Sequence, residues 1–229
     1  TLFRSRLMAT VDVLGDADAI VVEGAGPALA IRAGRHDLAE PDDPLYVAWT
    51  SGSGGIPKGV VHTHRTALTN ARRIQQAFDV DAADRLLVLS PLGYVGAATP
   101  VLTAVVAGAS VAVHVLAAEG ATGLGAFVER TRPSIVHLTP GHLRAFTGRV
   151  VAASVRLVLV GGDRLTGADV AALVRTFPAA DLVHRYNASE TNWIAGAQID
   201  PTGWSAGDPV PVGWPVPWLG VEVVDRERT

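Results

Sequence analysis

From residue 45 onward the apolar positions fall into two alternating patterns, and together these predict a layered α/β architecture. Short apolar runs at 45–49 and 59–62 read as two strands joined by a Gly/Ser loop. A helix follows from about Arg65, with Leu68, Ala71, Ile74, Ala77 and Phe78 at helical spacing and Arg72, Arg73, Gln75 and Gln76 on the other side. Strand and helix then alternate. Residues 85–89 form a strand, 99–107 a helix stopped by Gly108, and 110–115 a strand. Residues 123–131 form a helix, 135–138 a strand, and 140–146 a short helix opened by Pro140. The run 155–160 is continuously apolar, as expected of a strand buried on both faces. A helix over 167–177 ends before Pro178, and 182–186 is a strand. This succession predicts a mainly parallel sheet covered by helices. Before residue 45 the pattern is weak, apart from a short strand at Ala19, Ile20, Val21 and Val22 and a Pro41-Asp42-Asp43-Pro44 turn. After Ile199 proline and glycine become dense, and residues 221–224 predict the start of a small extra sheet near the C-terminus.

Composition narrows the function classes. With 48% hydrophobic and 18% charged residues, and a mean hydropathy of +0.29, the chain is globular and not disordered. A net charge of −3 offers no general attraction to nucleic acid or anionic membrane, so neither is expected as a partner. The absence of cysteine excludes a disulfide framework and a thiolate metal site. No apolar run reaches the ~18 residues of a membrane span. The longest candidate, 97–116, is interrupted by Gly108, Ser110 and His114. A cytoplasmic location is the expectation. Residues 1–5, Thr-Leu-Phe-Arg-Ser, resemble translated adapter sequence and are expected to be non-native.

Three segments carry candidate chemistry. The loop Thr50-Ser51-Gly52-Ser53-Gly54-Gly55-Ile56-Pro57-Lys58 exposes backbone N–H groups and hydroxyls that can cradle phosphate oxygens, with Lys58 adding charge. It is not a Walker loop, which needs Gly-Lys-Ser/Thr opening a helix. On residue type alone a plain hairpin turn is the commoner reading. Gly161-Gly162-Asp163, at a strand end, leaves room for a flat ligand or simply turns the chain into a helix. Tyr186-Asn187-Ala188-Ser189-Glu190 supplies an aromatic face, a hydroxyl and a hard carboxylate suited to Mg²⁺ beside phosphates. His62 and His64 would share one face of a strand, but further metal ligands are lacking nearby, and packed or solvent-facing histidines are the plainer reading.

Taken together, these segments resemble the adenylate-forming (AMP-binding) superfamily of acyl- and aryl-CoA ligases, luciferases and nonribosomal peptide synthetase adenylation domains. Trp49 to Val60 is similar to that family's phosphate loop, departing at Gly54, where the family has threonine, and at Trp49, where an aromatic is still kept. Gly161-Gly162-Asp163-Arg164-Leu165 is similar to its adenine-side segment. Tyr186 to Glu190 resembles its Tyr-Gly-x-Thr-Glu motif, with Asn187 in the glycine's place and Ser189 in the threonine's. Gly207-Asp208-Pro209 and the run from Gly213 to Asp225 resemble the segment that leads out of its core.

The resemblance implies a partial large N-terminal domain over 6–229, truncated at both ends and lacking the small C-terminal domain, so the fragment alone is expected to be inactive. It implies an ATP- and Mg²⁺-dependent ligase that turns a small carboxylic acid into an acyl-adenylate. The acyl group then passes to CoA or to a phosphopantetheine on a carrier protein. A peptide synthetase adenylation domain and a non-catalytic nucleotide-binding remnant are the alternatives. Under the resemblance Thr50, Ser51, Gly52, Ser53, Gly54, Gly55 and Lys58 hold phosphates, and Gly161, Gly162, Asp163, Tyr186 and Asn187 frame adenine. Ser189 meets the α-phosphate; Glu190 with Thr50 meets the metal; Glu190, Ser189 and Lys58 carry catalysis. The acyl pocket would be lined by Val95, Gly96, Thr99, His137, Arg185 and Trp193. Val95 stands where amino-acid-activating relatives place an aspartate for the substrate ammonium, so an ordinary α-amino acid is not the expected substrate. Arg185 either turns to solvent or offers a cation to a second carboxylate on the acid.

Overall fold

The computed structural model describes residues 19–21, 30–32, 39–50, 58–91 and 94–225. The expected non-native segment 1–5 lies outside them. Contacts divide the chain into two compact units, Thr1–Thr122 and Gly123–Thr229.

In the first unit β1 (Ala19–Val21) and β2 (Ala30–Arg32) form a two-stranded antiparallel pair. β3 (Pro44–Thr50) and β4 (Lys58–Thr63) form a second, closed by the Thr50–Lys58 pair at the loop end. Thr63 then starts α1 (His64–Ala77) with a reciprocal cap: the Thr66 amide donates to Thr63 Oγ1 at 3.2 Å, and the Thr63 amide donates to Thr66 Oγ1 at 3.1 Å. The helix buries Ala67, Asn70, Ala71 and Ile74, the stripe its spacing predicts. β5 (Arg85–Val88) and β6 (Ser110–Val113) pair in parallel through the crossover helix α2 (Val95–Ala107). That helix ends at Gly108, whose φ of 68° only glycine adopts without strain. Tyr46, Ala48, Ala67, Val88, Ala97 and Ala98 form the core here, and α3 (Leu116–Glu119) closes the unit.

The second unit begins with α4 (Leu124–Thr131) and β7 (Ile135–Leu138), followed by α5 (Pro140–Phe146), β8 (Leu157–Gly161) and α6 (Gly167–Thr176). It continues with β9 (Asp181–Ala188), β10 (Asn192–Gln198) and β11 (Trp214–Pro215). Its strands lie in the order β11-β10-β9-β8-β7, parallel from β7 to β9 and antiparallel beyond. All five residues of β8 are buried, as its unbroken apolar run requires. Phe146 and Phe177 meet with ring centroids 5.4 Å apart, behind Leu143 and Leu173. The Pro/Gly-rich segment ties back to the start of α6: the Gly167 amide donates to the Asp208 carbonyl at 3.0 Å, and the Val210 amide to that of Leu165 at 2.9 Å.

The α/β class and the mainly parallel sheet agree with the sequence pattern; several local features differ. α2 starts at Val95, four residues before the expected Thr99, so Pro100 falls inside it and withholds a donor from the Gly96 carbonyl. β9 runs on to Ala188 and turns directly into β10, a strand the pattern did not mark. Residues 221–224 take no strand ladder among the described residues; Val223 is 96% exposed, so no partner surface offsets the cost of ordering it. β4 ends at Thr63, so His62 and His64 do not share a strand face. His62 is buried and stacks on Tyr46 at 4.6 Å. Among the described residues no helix is long and apolar enough to cross a membrane.

Candidate functional site

In the first unit the β3–β4 hairpin sets the two ends of the phosphate-type loop against each other. Thr50 pairs with Lys58, and Trp49 with Gly59. Lys58 is exposed at the mouth of the loop. The Thr50 side chain and the positions Ser51, Gly52, Ser53, Gly54 and Gly55 lie outside the described residues. Val95, at the first turn of α2, is half-buried and packs against the unit's core, while Gly96 is exposed. Thr99 is buried, and its carbonyl accepts from the Thr103 hydroxyl at 2.8 Å. The first turn of α2 holds no acidic residue, so Val95 has no carboxylate beside it there.

The second unit gathers the remaining candidates at the carboxyl end of β8 and along β9. Gly161 closes β8 opposite Arg185; a Cβ at Gly161 would collide with the Arg185 carbonyl oxygen and sit 3.3 Å from Asn187 Nδ2. That close approach is the reason for a glycine there. Gly162 follows with φ 85° and is exposed, and the Asp163 carboxylate accepts from the Arg164 amide at 2.7 Å. Tyr186 leaves half of its ring exposed. Asn187 Oδ1 is sealed from solvent and has no hydrogen-bond partner among the described residues. Ser189 and Glu190 lie in the tight β9–β10 turn, where the Thr191 amide donates to the Ala188 carbonyl at 3.3 Å. Glu190 is exposed and forms no ion pair among the described residues.

Arg185 does not turn to solvent. It is 5% exposed, its guanidinium lies 4.6 Å from the centroid of the Trp193 ring, and its Nε has no hydrogen-bond partner. Burial pulls it down to about 9, which leaves it cationic at neutral pH. Trp193 is fixed in turn: its Nε1 donates to the Ala195 carbonyl at 3.0 Å, and Trp218 meets its ring edge-on at 5.5 Å. His137 Nε2 is likewise sealed and unpartnered. Desolvation first, and the Arg185 charge second, hold His137 down to about 3, so it is a neutral imidazole. His184, which the sequence reading passed over, is buried on the other face, with Nδ1 2.9 Å from the Pro211 carbonyl. Its role is to tie the proline-rich segment to β9, and nothing in its local sequence signals this.

These residues present an aromatic face, an orphan acceptor, glycines at a strand end, a free carboxylate and a buried cation. Comparison with known proteins gives the setting. A family model described as "AMP-binding enzyme" matches residues 4–229. The chain is 31% identical over 204 residues to phenyloxazoline synthase MbtB of Mycolicibacterium paratuberculosis, covering 87% of this chain and 17% of that protein. It is 29% identical over 204 residues to an L-proline–[L-prolyl-carrier protein] ligase of Streptomyces coelicolor, covering 85% and 38%. Among solved structures, the N-terminal subdomain of Klebsiella oxytoca NpsA, bound to anthranilyl-AMSN, superposes with a TM-score of 0.70 at 22% identity, covering 86% of this chain and 52% of that one. The chain thus spans well under half the length of these two curated relatives and about half of the solved subdomain.

Proposed function

The chain belongs to the AMP-binding enzyme family, and from that membership we propose that the protein containing it activates a carboxylic acid with ATP and hands the acyl group to a thiol. The observation that carries the proposal is the row at the carboxyl ends of β8 and β9. Gly161 and Gly162 stand beside a half-exposed Tyr186 ring and the orphan acceptor Asn187 Oδ1. An adenine fits this set: its flat face suits Tyr186, and its exocyclic amine is the kind of donor that Asn187 Oδ1 lacks. Glu190 suits Mg²⁺ for a similar reason. It is a single hard carboxylate on a tight turn, and Mg²⁺ takes one or two protein carboxylates and completes its shell with substrate phosphates and water. The metal supplies charge neutralisation at the phosphates when bound.

This chain's own residues supply position and electrostatics. Tyr186 and Gly161 orient the nucleoside. The Ser189 hydroxyl donates to the α-phosphate, where charge builds as the substrate carboxylate attacks and pyrophosphate leaves. Lys58 and the loop beginning at Thr50 hold the departing phosphates, with Ser51, Gly52, Ser53, Gly54 and Gly55 supplying amides and hydroxyls. Val95, Gly96 and Thr99 border the acid. The thiol is the phosphopantetheine of a carrier protein: a prolyl-carrier ligase and peptide synthetases are among the relatives, which favours this acceptor over CoA. The acid lacks an α-ammonium, because Val95 and the first turn of α2 offer it no counter-charge and a buried unpaired ammonium costs several kcal/mol.

The test is acid-dependent ATP–pyrophosphate exchange by the full-length protein, with a panel of aryl, aliphatic and amino acids. Exchange with a non-amino acid supports the reading. Preferred exchange with a standard L-amino acid removes the role given to Val95, and failure of every acid removes the activity itself.

A further inference from the structure

Arg185 is a buried cation with no carboxylate partner among the described residues. Its neighbours in register are Gly161 on β8 and Gly196 on β10, neither of which has a side chain; the ring that meets it comes from Trp193, further along β10. On its own strand Val183 and Asn187 share its face; Val183 cannot accept, and the Asn187 amide oxygen makes no hydrogen bond to the guanidinium. Above the guanidinium lies the face of Trp193, which offers a quadrupole and no lone pair. No carboxylate of the described residues reaches it. His137 pairs with Leu159, two residues before Gly161, so strand alternation puts His137 and Arg185 on one sheet face. Its sealed Nε2 is a second group without a partner, and a neutral imidazole can donate there without repelling the guanidinium. A charge removed from water is strongly unfavourable unless paired, and a guanidinium is built to hold a carboxylate through two parallel N–H donors.

Resting on the reading of this site as an acid-activating one, we propose that Arg185, seated on Trp193 and assisted by His137, binds a second carboxylate of the substrate, so that the protein activates a dicarboxylic acid. One carboxylate of the acid is adenylated and the other is held by Arg185. An acid with an apolar tail would leave the cation unpaired and is disfavoured on that account.

The experiment uses the full-length protein and compares each diacid with its own monoamide, which keeps the size and removes one charge: glutarate against glutaramate, isophthalate against its monoamide. Pyrophosphate exchange should favour the best diacid over its monoamide by about ten- to hundredfold in kcat/KM, the range of a charge-assisted hydrogen bond. In Arg185→Met that preference should collapse, the diacid losing most of its advantage over the monoamide. Equal use of diacid and monoamide by the parent protein overturns the inference and leaves the adenylation reading standing. An Arg185→Met variant that loses both substrates alike shows that Arg185 holds the reacting carboxylate or a phosphate, and also overturns it. Exchange with no acid at all removes both readings. Thermal unfolding without ligand gives an independent arm: Arg185→Met should melt at or above the parent temperature, because it removes an uncompensated buried charge. A clear drop would reveal a structural partner for Arg185 and count against the proposal.

Discussion

Replacing Gly161 with alanine tests the junction of β8 and β9 most directly. The new methyl would fall on the backbone carbonyl oxygen of Arg185, an atom held in the parallel ladder and unable to rotate away. Relief therefore requires the two strands to part at their carboxyl ends. The cost combines overpacking strain of about 1–3 kcal/mol with roughly one ladder hydrogen bond of about 1 kcal/mol, giving about 2–4 kcal/mol in all. Two neighbouring glycines calibrate the effect. At Gly162 a Cβ meets only Thr139 Cγ2 at 3.4 Å, but φ is 85°, so alanine there costs about 1–2 kcal/mol through backbone conformation alone. At Gly207 nothing lies within 4 Å and φ is unremarkable, so alanine should be neutral to within about 0.5 kcal/mol. Urea denaturation followed by tryptophan fluorescence reads all three, because Trp193, Trp204, Trp214 and Trp218 report on the second unit. The expected order of loss is Gly161, then Gly162, then Gly207. ATP affinity should fall with Gly161→Ala, since Tyr186 and Asn187 move with β9. A Gly161→Ala midpoint as mild as that of Gly207→Ala would refute the close-approach argument.

Glu190→Gln removes one charge from an exposed turn, so unfolding should be unchanged while exchange activity falls about a hundredfold or more, as for other lost transition-state electrostatics; unchanged Mg²⁺ dependence and rate would exclude Glu190 from the metal site. Asp169→Ala should cost about 1 kcal/mol by removing the cap of α6, where the Asp169 carboxylate accepts from the Thr166 amide at 2.9 Å and hydroxyl at 2.7 Å; a midpoint equal to the parent's would show the cap to be idle. Acid should destabilise the fold early. His137 is held at about 3 against 6.5 unfolded, so the unfolded state binds the extra proton between these values, and its stabilising contribution, complete above 6.5, is lost as pH falls toward 3. The slope approaches ~1.4 kcal/mol per pH unit for one proton, with His142 and His184 shifted in the same direction, and His137→Gln should flatten it between pH 6.5 and 5; an unaltered slope would place the titration elsewhere.

The elements that the sequence made legible are those in which one physical signal dominates. The helical stripe of α1, the proline that opens α5, the glycine that ends α2 and the unbroken apolar run of β8 each match a single rule. Conflicting signals explain the rest. Pro100 reads as a helix start, yet α2 begins at Val95 behind an N-cap Tyr94 that makes no side-chain cap bond. β10 carries Gly196 and polar ends, and its existence depends on pairing with β9, which local pattern does not encode. Arg185 shows the limit most sharply. A charged residue reads as solvent-facing, but strand alternation aligns it with Val183 on a face that is buried, and only the assembled sheet reveals a cation held without a partner.

The same assembly bears on whether the nucleotide site is a working one. Asn187 stands where the family's motif has glycine, a departure that a non-catalytic remnant would explain. A glycine matters at such a position when the backbone must adopt positive φ or when a side chain would block a ligand. The first condition does not hold here. Asn187 lies within β9, paired with Trp193, and is absent from the positive-φ residues, which are Asp79, Arg132 and Asn192 outside the glycines. The second condition is reversed by the side chain itself. Its oxygen is sealed and unpartnered, and an orphan acceptor is costly unless a donor is supplied. A purine bound as proposed would supply that donor through its exocyclic amine. Asn187→Leu makes the point measurable: it should raise the unfolding midpoint of the ligand-free protein and weaken ATP binding, whereas a weaker fold with unchanged ATP affinity would return Asn187 to a purely structural role.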